Sequence, residues 1–421
     1  MSFARDVFEF LKSSAEAHAR WDFEVSMSII KNRKKLLILG LLLLPILAVS
    51  LADAADFLGG KTAYGPSHYT TLIFFGSIGI GMAAGLITGC IGAAGGYIIT
   101  PALMALGVKG ILAVGTDLFH IFAKAIMGTT VHRKMGNVSV PLAIAFLCGS
   151  GIGTFIGGFV NHWFYDLDPL LSEVFISTVY ALLLGFLGTY TMYDYFSTTR
   201  AISAGKASDK AGAHSGPTGM TSLAVRMQKM KVWPMVTFDQ DFVPGGRQIS
   251  GVVVAVGGLF VGILASIMGV GGGFVTFPMF VYIFGVSSLT TVGTDILQII
   301  FTAGLGAIGQ YAIYGYVFYT LAMGMLLGSL LGIQIGALTT KVVKGVNIRG
   351  FYALSIVAGF INRASTLPKK FTELEYISWP KALVDNIEYV GNIVFWITVG
   401  LFGAWILSKF LANIGKLRQE A

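Results

Sequence analysis

The stretches GCIGAAGGYIITP (89–101) and SIMGVGGGFVTFP (266–278) each set a glycine cluster and a closing proline inside an apolar run. Within a helix, glycine costs about 1 kcal/mol and proline about 3 kcal/mol relative to alanine. A chain that places both residues together, twice, is interrupting two helices. What those helices cross decides the fold.

The surroundings are oily throughout. Of 421 residues 55% are hydrophobic and 12% are charged, about half the charge of a soluble domain, where about 25% is usual. Runs such as LLILGLLLLPILAVS (36–50) and FWITVGLFGAWIL (395–407) approach the ~20 residues that a helix needs to cross a bilayer. The composition predicts a polytopic membrane protein. The net charge of +8 sits outside the apolar segments, as in cytoplasmic loops, and gives no reason to expect nucleic acid. Cys90 and Cys148 both lie in apolar segments, form no metal or redox spacing, and read as small core thiols.

At the N-terminus, KNRKK (31–35), an apolar run and ADAADF (52–57) resemble a signal peptide with its cleavage site. About thirty residues precede the basic cluster, an unusual start for a secretory signal. The expectation is a retained transmembrane helix over 36–54 behind a cytoplasmic segment, 1–35.

The two glycine knots belong to a duplication. Gly85–Pro101 and Gly262–Pro278 agree at five of seventeen places, VGTD recurs at 114–117 and 292–295, and GSGIGTFIG (149–157) recurs as GSLLGIQIG (328–336). The offset drifts only from 177 to 178 to 179. The loops of the two halves have opposite charge character. HRK (132–134) is matched by the uncharged YAIYGY (311–316), and the acidic NHWFYDLDP (161–169) by the basic KVVKGVNIR (341–349). Basic loops stay in the cytoplasm, so equivalent loops should lie on opposite faces, as in an inverted-topology repeat.

These signals predict an all-α polytopic fold, an inverted-topology internal repeat with broken or re-entrant helices. Repeat 1 covers 71–195 and repeat 2 covers 249–366. A cytoplasmic linker, 196–248, joins them, its first part AGKASDKAGAHSGPTG (204–219) reading as disordered. A last helix covers 388–411. Full spans are expected at 36–54, 110–131, 138–160, 172–195, 289–312, 317–340, 349–366 and 388–411, with broken segments at 71–107 and 249–286.

Three readings of the knot compete. Phosphate cradling lacks the GK[ST] ending of a P-loop and a preceding strand. Close helix packing through small residues suits GSxxGxxxG better than the knot. A helix broken inside the membrane frees backbone groups, tolerated only inside protein or beside an aqueous cavity. The helix that restarts after the break then presents free N–H groups, a natural anion site. Paired breaks in inverted halves point to a transporter's central site. On that reading Gly92, Gly95, Gly96 and Thr116 in one half, with Gly269, Gly272, Gly273 and Thr294 in the other, contact the substrate.

Ionisable residues inside a membrane are expensive and mark pathways. Asp117, His120 and Lys124 stand at i, i+3 and i+7 on one helical face, and their counterparts are Asp295, Gln298 and Thr302. Asp117, His120, Lys124, Asp295 and Gln298 are therefore candidates for a coupling pathway, with a proton-linked step in view. The alternative is an Asp117–Lys124 structural pair and two aspartates complementing helix dipoles. Arg363 is borderline at the end of its span, and Asn362 reads as interhelical glue. No metal-ligand spacing or reactive constellation suggests an enzyme, and no cofactor is expected.

GAAGGYIITP, AVGTD and GNV (136–138), repeated as GVGGGFVTFP, TVGTD and GYV (315–317), resemble the TauE/SafE sulfite-exporter family over roughly residues 70 to 365. The resemblance implies a bacterial inner-membrane transporter of small sulfur oxyanions or organosulfonates, such as sulfite or sulfoacetate. It further implies export and no organic cofactor, and the expected mechanism is alternating access. Many family members carry a small hydroxyl residue after V-G-T, where this chain has Asp117 and Asp295. With these spans both termini are cytoplasmic, and the expected partners are the anion and the lipid bilayer, with a homodimer left open. An anion channel, a carrier of another small anion, or a scaffold are the competing classes.

Overall fold

The computed structural model describes residues 70–91, 95–134, 138–203, 221–240, 245–339, 342–343 and 345–413. The expected segments 1–35 and 36–54, the linker stretch 204–219 and Gly92 lie outside these residues. The helices are α1 (Thr71–Ile91), α2 (Gly96–Ala105), α3 (Gly110–Lys134), α4 (Val140–Leu167), α5 (Pro169–Ser203), α6 (Ser222–Lys229), α7 (Gly251–Met268), α8 (Gly273–Pro278), α9 (Ser288–Gly306), α10 (Tyr319–Thr339), α11 (Gly345–Glu373) and α12 (Lys381–Ala412). π-helical turns follow α8 (Met279–Phe284) and α9 (Ala307–Ala312). Seven helices among the described residues are long and apolar enough to cross a membrane. The protein is an all-α polytopic membrane protein.

α3 and α11 are not among those seven. They are 25 and 29 residues long, at ~1.5 Å per residue enough to span. Asp117 and Lys124, and Arg349, Arg363, Lys369 and Lys370, make them less apolar. Apolar side chains on the outer faces, including Phe159, Leu182, Phe186, Val256 and Leu401, are exposed, as lipid contact requires.

Both expected breaks are present. α1 ends at Ile91 and α2 begins at Gly96. α7 ends at Met268 and α8 begins at Gly273, with Gly269, Gly271 and Gly272 at φ of 78°, 63° and 89°. Left-handed backbone of that kind is open to glycine and penalises other residues. The left-handed backbone at these three positions accounts for three of the four glycines in the second knot.

The GSxxGxxxG helices pack as small-residue seams. α4 lies on α7 and α10 on α1. A Cβ at Gly149 would sit 1.7 Å from the carbonyl oxygen of Ala255, at Gly153 2.2 Å from that of Leu259, and at Gly157 2.4 Å from that of Ile263. The second seam matches: Gly328 against Ile78 at 2.0 Å, Gly332 against Met82 and Gly336 against Leu86, each at 2.4 Å. Backbones meet directly, which only glycine allows. Along each seam the numbers rise together, so α4 runs parallel to α7 and α10 parallel to α1. α5 and α11 instead pack antiparallel, Gly185 on Phe360, Gly188 on Val357 and Gly350 on Tyr195. Each seam therefore pairs a helix from one half with a helix from the other.

Several details differ from the sequence reading: α4 runs to Leu167 rather than 160, α11 to Glu373 rather than 366, and α12 starts at Lys381 rather than 388. α5 continues to Ser203 rather than 195. The segment before α7 forms a short helix, α6, and an antiparallel hairpin of β1 (Met235–Phe238) and β2 (Arg247–Ser250), with Val236 opposite Ile249. Cys90 is buried, but Cys148 is exposed on α4 rather than in the core.

Candidate functional site

The two breaks touch. A Cβ on Gly96 would lie 2.9 Å from Cα of Val270, and the rings of Tyr97 and Phe274, equivalent residues of the two halves, stand 5.9 Å apart. Gly269 sits against the backbone of Val114, just ahead of Thr116. Two interrupted helices thus meet within the fold, where freed backbone groups need partners.

Those partners are visible for α7. The carbonyl of Ser266 accepts from Tyr311 Oη at 2.6 Å, that of Met268 from Tyr180 Oη, and that of Ile267 from Asn161 Nδ2 at 3.5 Å. Asn161 also donates to Tyr311 Oη at 2.9 Å. Tyr311 reaches inward from the π-helical turn after α9, and such turns often re-aim side chains at functional sites. Tyr180, Asn161 and Tyr311 come from three different elements, so no local sequence pattern announces them.

At the first break Thr88 Oγ1 is the meeting point. It accepts from Gly95 N at 3.1 Å and from Lys124 Nζ at 3.3 Å, while donating to the carbonyl of Ala84 at 2.8 Å. The Lys124 ammonium is therefore brought to the N-terminal end of α2, where the helix dipole is positive. The expected face of α3 is real and buried. Asp117 Oδ2 accepts from Thr100 Oγ1 at 3.0 Å, and His120 Nε2 lies 3.0 Å from Ser329 Oγ on α10. Asp117 Oδ1 and His120 Nδ1 face each other at 3.8 Å, and neither has a hydrogen-bond partner.

The matching face of α9 carries an unbroken chain. Gln298 Nε2 donates to Asp295 Oδ1 at 2.8 Å, Thr302 Oγ1 donates to Gln298 Oε1 at 2.8 Å, and Thr302 Oγ1 lies 3.0 Å from Ser150 Oγ on α4. Ser150 and Ser329 are the serines of the duplicated GS motif, so each chain ends on the other half's seam. The sequence reading took that motif for its glycines and passed over the serines. Thr88 and Thr100, beside and inside the first knot, were passed over as well.

Thr116 and Thr294 each take up a backbone N–H of the other half. Thr116 Oγ1 accepts from Phe318 N at 2.9 Å, and Thr294 Oγ1 from Ser139 N at 3.0 Å. Gly95, Gly96, Gly269, Gly272 and Gly273 lie at the breaks; Lys124 reaches the first through Thr88, Asp117 meets α2 at Thr100, His120 meets α10 at Ser329, and Gln298 is joined to Asp295. Among the described residues no group of three His, Cys, Asp or Glu side chains gathers to hold a metal ion.

The sequence model of the family described as Sulfite exporter TauE/SafE matches residues 77–363, which hold both breaks, both seams and both polar chains. The chain belongs to the TauE/SafE family, and is thus a membrane transporter. It is similar to the Bacillus subtilis (strain 168) proteins named Probable membrane transporter protein YunE and YjnA. The first is 24% identical over 61% of this chain and 85% of the relative, the second 23% over 61% and 87%. A Probable membrane transporter protein of Xylella fastidiosa (strain 9a5c) is 22% identical over 62% and 83%. No solved structure matches this TauE/SafE member.

Proposed function

We propose that this protein moves small sulfur-containing anions, sulfite, sulfoacetate or a related organosulfonate, out of the cell across a bacterial inner membrane by alternating access. The observation that carries the reading is the contact of the two breaks, Gly96 against Val270, with Lys124 brought to one of them through Thr88. A helix N-terminus and an ammonium together suit an oxyanion, and neither needs a cofactor. The family description supports sulfite as the reference substrate.

The two halves are read as inverted repeats, 71–195 and 249–366, with both termini and the linker cytoplasmic. The parallel seams α1–α10 and α4–α7 support this reading, because a two-fold axis in the membrane plane exchanges one seam with the other. Substrate contacts are assigned to Gly92, Gly95, Gly96, Gly269, Gly272 and Gly273, and to the hydroxyls of Thr116 and Thr294, which can donate while accepting a backbone N–H. Asp117 and His120 are assigned to a proton-linked step. The facing orphan atoms of this pair give a place where one proton can bind and draw the two side chains together. Asp295 and Gln298 form the fixed counterpart.

Purified protein in liposomes, offered sulfite, sulfoacetate, thiosulfate and sulfate under an imposed pH gradient, tests the reading. Saturable, gradient-dependent flux of one sulfur anion supports it. Non-saturating flux without trans-stimulation would make the protein a channel, and no flux of any of the four from folded protein would remove the sulfur assignment.

A further inference from the structure

Arg363 on α11 is 2% exposed, near the end of its expected span, and has no carboxylate within 4 Å among the described residues. Its Nε and Nη2 donate to Asn362 Oδ1 at 2.8 and 2.6 Å, Nη2 reaches the carbonyl of Pro101 on α2 at 3.4 Å, and Nη1 faces Met104 Sδ at 3.2 Å. The acids nearest in charge are already engaged. Glu173 is bound by Lys370 at 2.6 Å, and Glu388 by Lys369 at 2.8 Å. Lys369 Nζ donates to Glu388 Oε2 and also lies 3.0 Å from Asp385 Oδ1. Both carboxylates thus have cations of their own.

A guanidinium has five N–H donors, and here they meet one amide oxygen, one carbonyl at the limit of hydrogen-bond range and one thioether, a weak acceptor. An uncompensated cation in that position is costly. Its orientation is nonetheless fixed: Asn362 Nδ2 donates to Asn392 Oδ1 on α12 at 2.6 Å, so the amide oxygen that grips the Nε side is itself held. The Nη1–Nη2 edge is left towards α2, the helix that restarts after the first break. The equivalent residue on α5 is Leu184, so only one half offers this charge.

We propose that Arg363 is the counter-charge for the transported anion as it passes α2, its guanidinium taking two oxygens of a sulfite or sulfonate group where Met104 Sδ now stands. Asn362 and Asn392 are positioning residues for that fork. The inference rests on the anion-transport reading above.

Sulfite uptake into liposomes, together with thermal melting in detergent, tests this on wild type, Arg363→Gln, Arg363→Lys and Asn392→Ala. Arg363→Gln should raise KM for sulfite about tenfold or more, the scale of one charge-assisted hydrogen bond, with melting unchanged or higher because a buried charge is removed. Arg363→Lys keeps the charge without the fork and should fall between the two. Asn392→Ala should raise KM with little change in melting. A wild-type KM in Arg363→Gln overturns the proposal. So does a lower melting temperature in Arg363→Gln combined with an unchanged KM in Asn392→Ala, which would make Arg363 a structural brace of α2. Wild-type protein that moves no sulfur anion fails the transport reading itself, and this proposal falls with it.

Discussion

Thr116 Oγ1 accepts a hydrogen bond from the backbone N–H of Phe318 at 2.9 Å, across the boundary between the halves. Thr294 does the same for Ser139 at 3.0 Å. Phe318 and Ser139 immediately precede α10 and α4, where N–H groups at the start of a helix lack intrahelical partners. Each VGTD threonine thus closes the opening turn of the other half's seam helix. Thr116→Val and Thr294→Val keep the shape and remove the acceptor; the first should cost about 1–3 kcal/mol by leaving a buried N–H unpaired, and the second less, because the Ser139 bond is only part-buried. Thr116→Ser should melt near wild type. Thermal melting in detergent checks all three, and a Val variant as stable as wild type would show that the bond contributes nothing.

The seams make a sharper prediction about glycine. A Cβ at Gly149 would stand 1.7 Å from Ala255 O, and at Gly328 2.0 Å from Ile78 O, both backbone atoms that cannot swing away. Gly149→Ala and Gly328→Ala should force two membrane helices apart and yield little monodisperse protein. Gly400 on α12 has nothing within 4 Å, and Gly400→Ala should behave as wild type. Size-exclusion profiles of fluorescent fusions compare them directly. Equal profiles would mean the seams can open without loss.

Most of this architecture was legible in the residues because membranes narrow the choices. Backbone groups in lipid must be paired within helices, so a glycine-rich knot that recurs with VGTD and GSxxG had to be two interrupted spans. The polar partners were less legible. Tyr180, Asn161 and Tyr311 converge on α7 from distant segments, and a tyrosine in an apolar helix carries no mark of what its hydroxyl will reach. Ser150 and Ser329 were hidden by their glycine neighbours, whose packing role was plain. The hairpin β1–β2 was missed because four-residue strands in a basic, polar stretch give little alternation to read.

The chain Asp117–His120–Ser329 has a gap where Asp295–Gln298–Thr302–Ser150 has none. Asp117 Oδ1 and His120 Nδ1 are 3.8 Å apart and unpartnered, whereas each link of the second chain is 2.8 to 3.0 Å. An imidazole can take up and release a proton; the amide of Gln298 cannot. His120→Gln makes the first half resemble the second. It should leave a folded protein whose sulfite flux no longer responds to an imposed pH gradient, and Asp117→Asn should do likewise. Flux that follows the gradient as in wild type in both variants would place proton coupling elsewhere.

The residues between the halves also do more than tether them. Asp239, with its backbone at φ 55°, accepts from Ser287 N at 2.9 Å and Ser287 Oγ at 2.7 Å, and lies 3.6 Å from Arg247 Nη1. Arg247 donates to the carbonyl of Gly285 at 2.7 Å, and Gln228 Nε2 on α6 to that of Phe284 at 2.7 Å. The hairpin and α6 thereby clamp the turn between the second broken segment and α9. Asp239→Asn tolerates the left-handed backbone and removes the charge together with one of the two oxygens that accept from Ser287, so any loss reports the whole carboxylate clamp. Hydrogen bonds to charged groups contribute about 1.5–3 kcal/mol, and a drop of roughly that size is expected when the variant is melted. A simple tether would be indifferent to the change, and an unaltered melting curve would reduce this segment to that role.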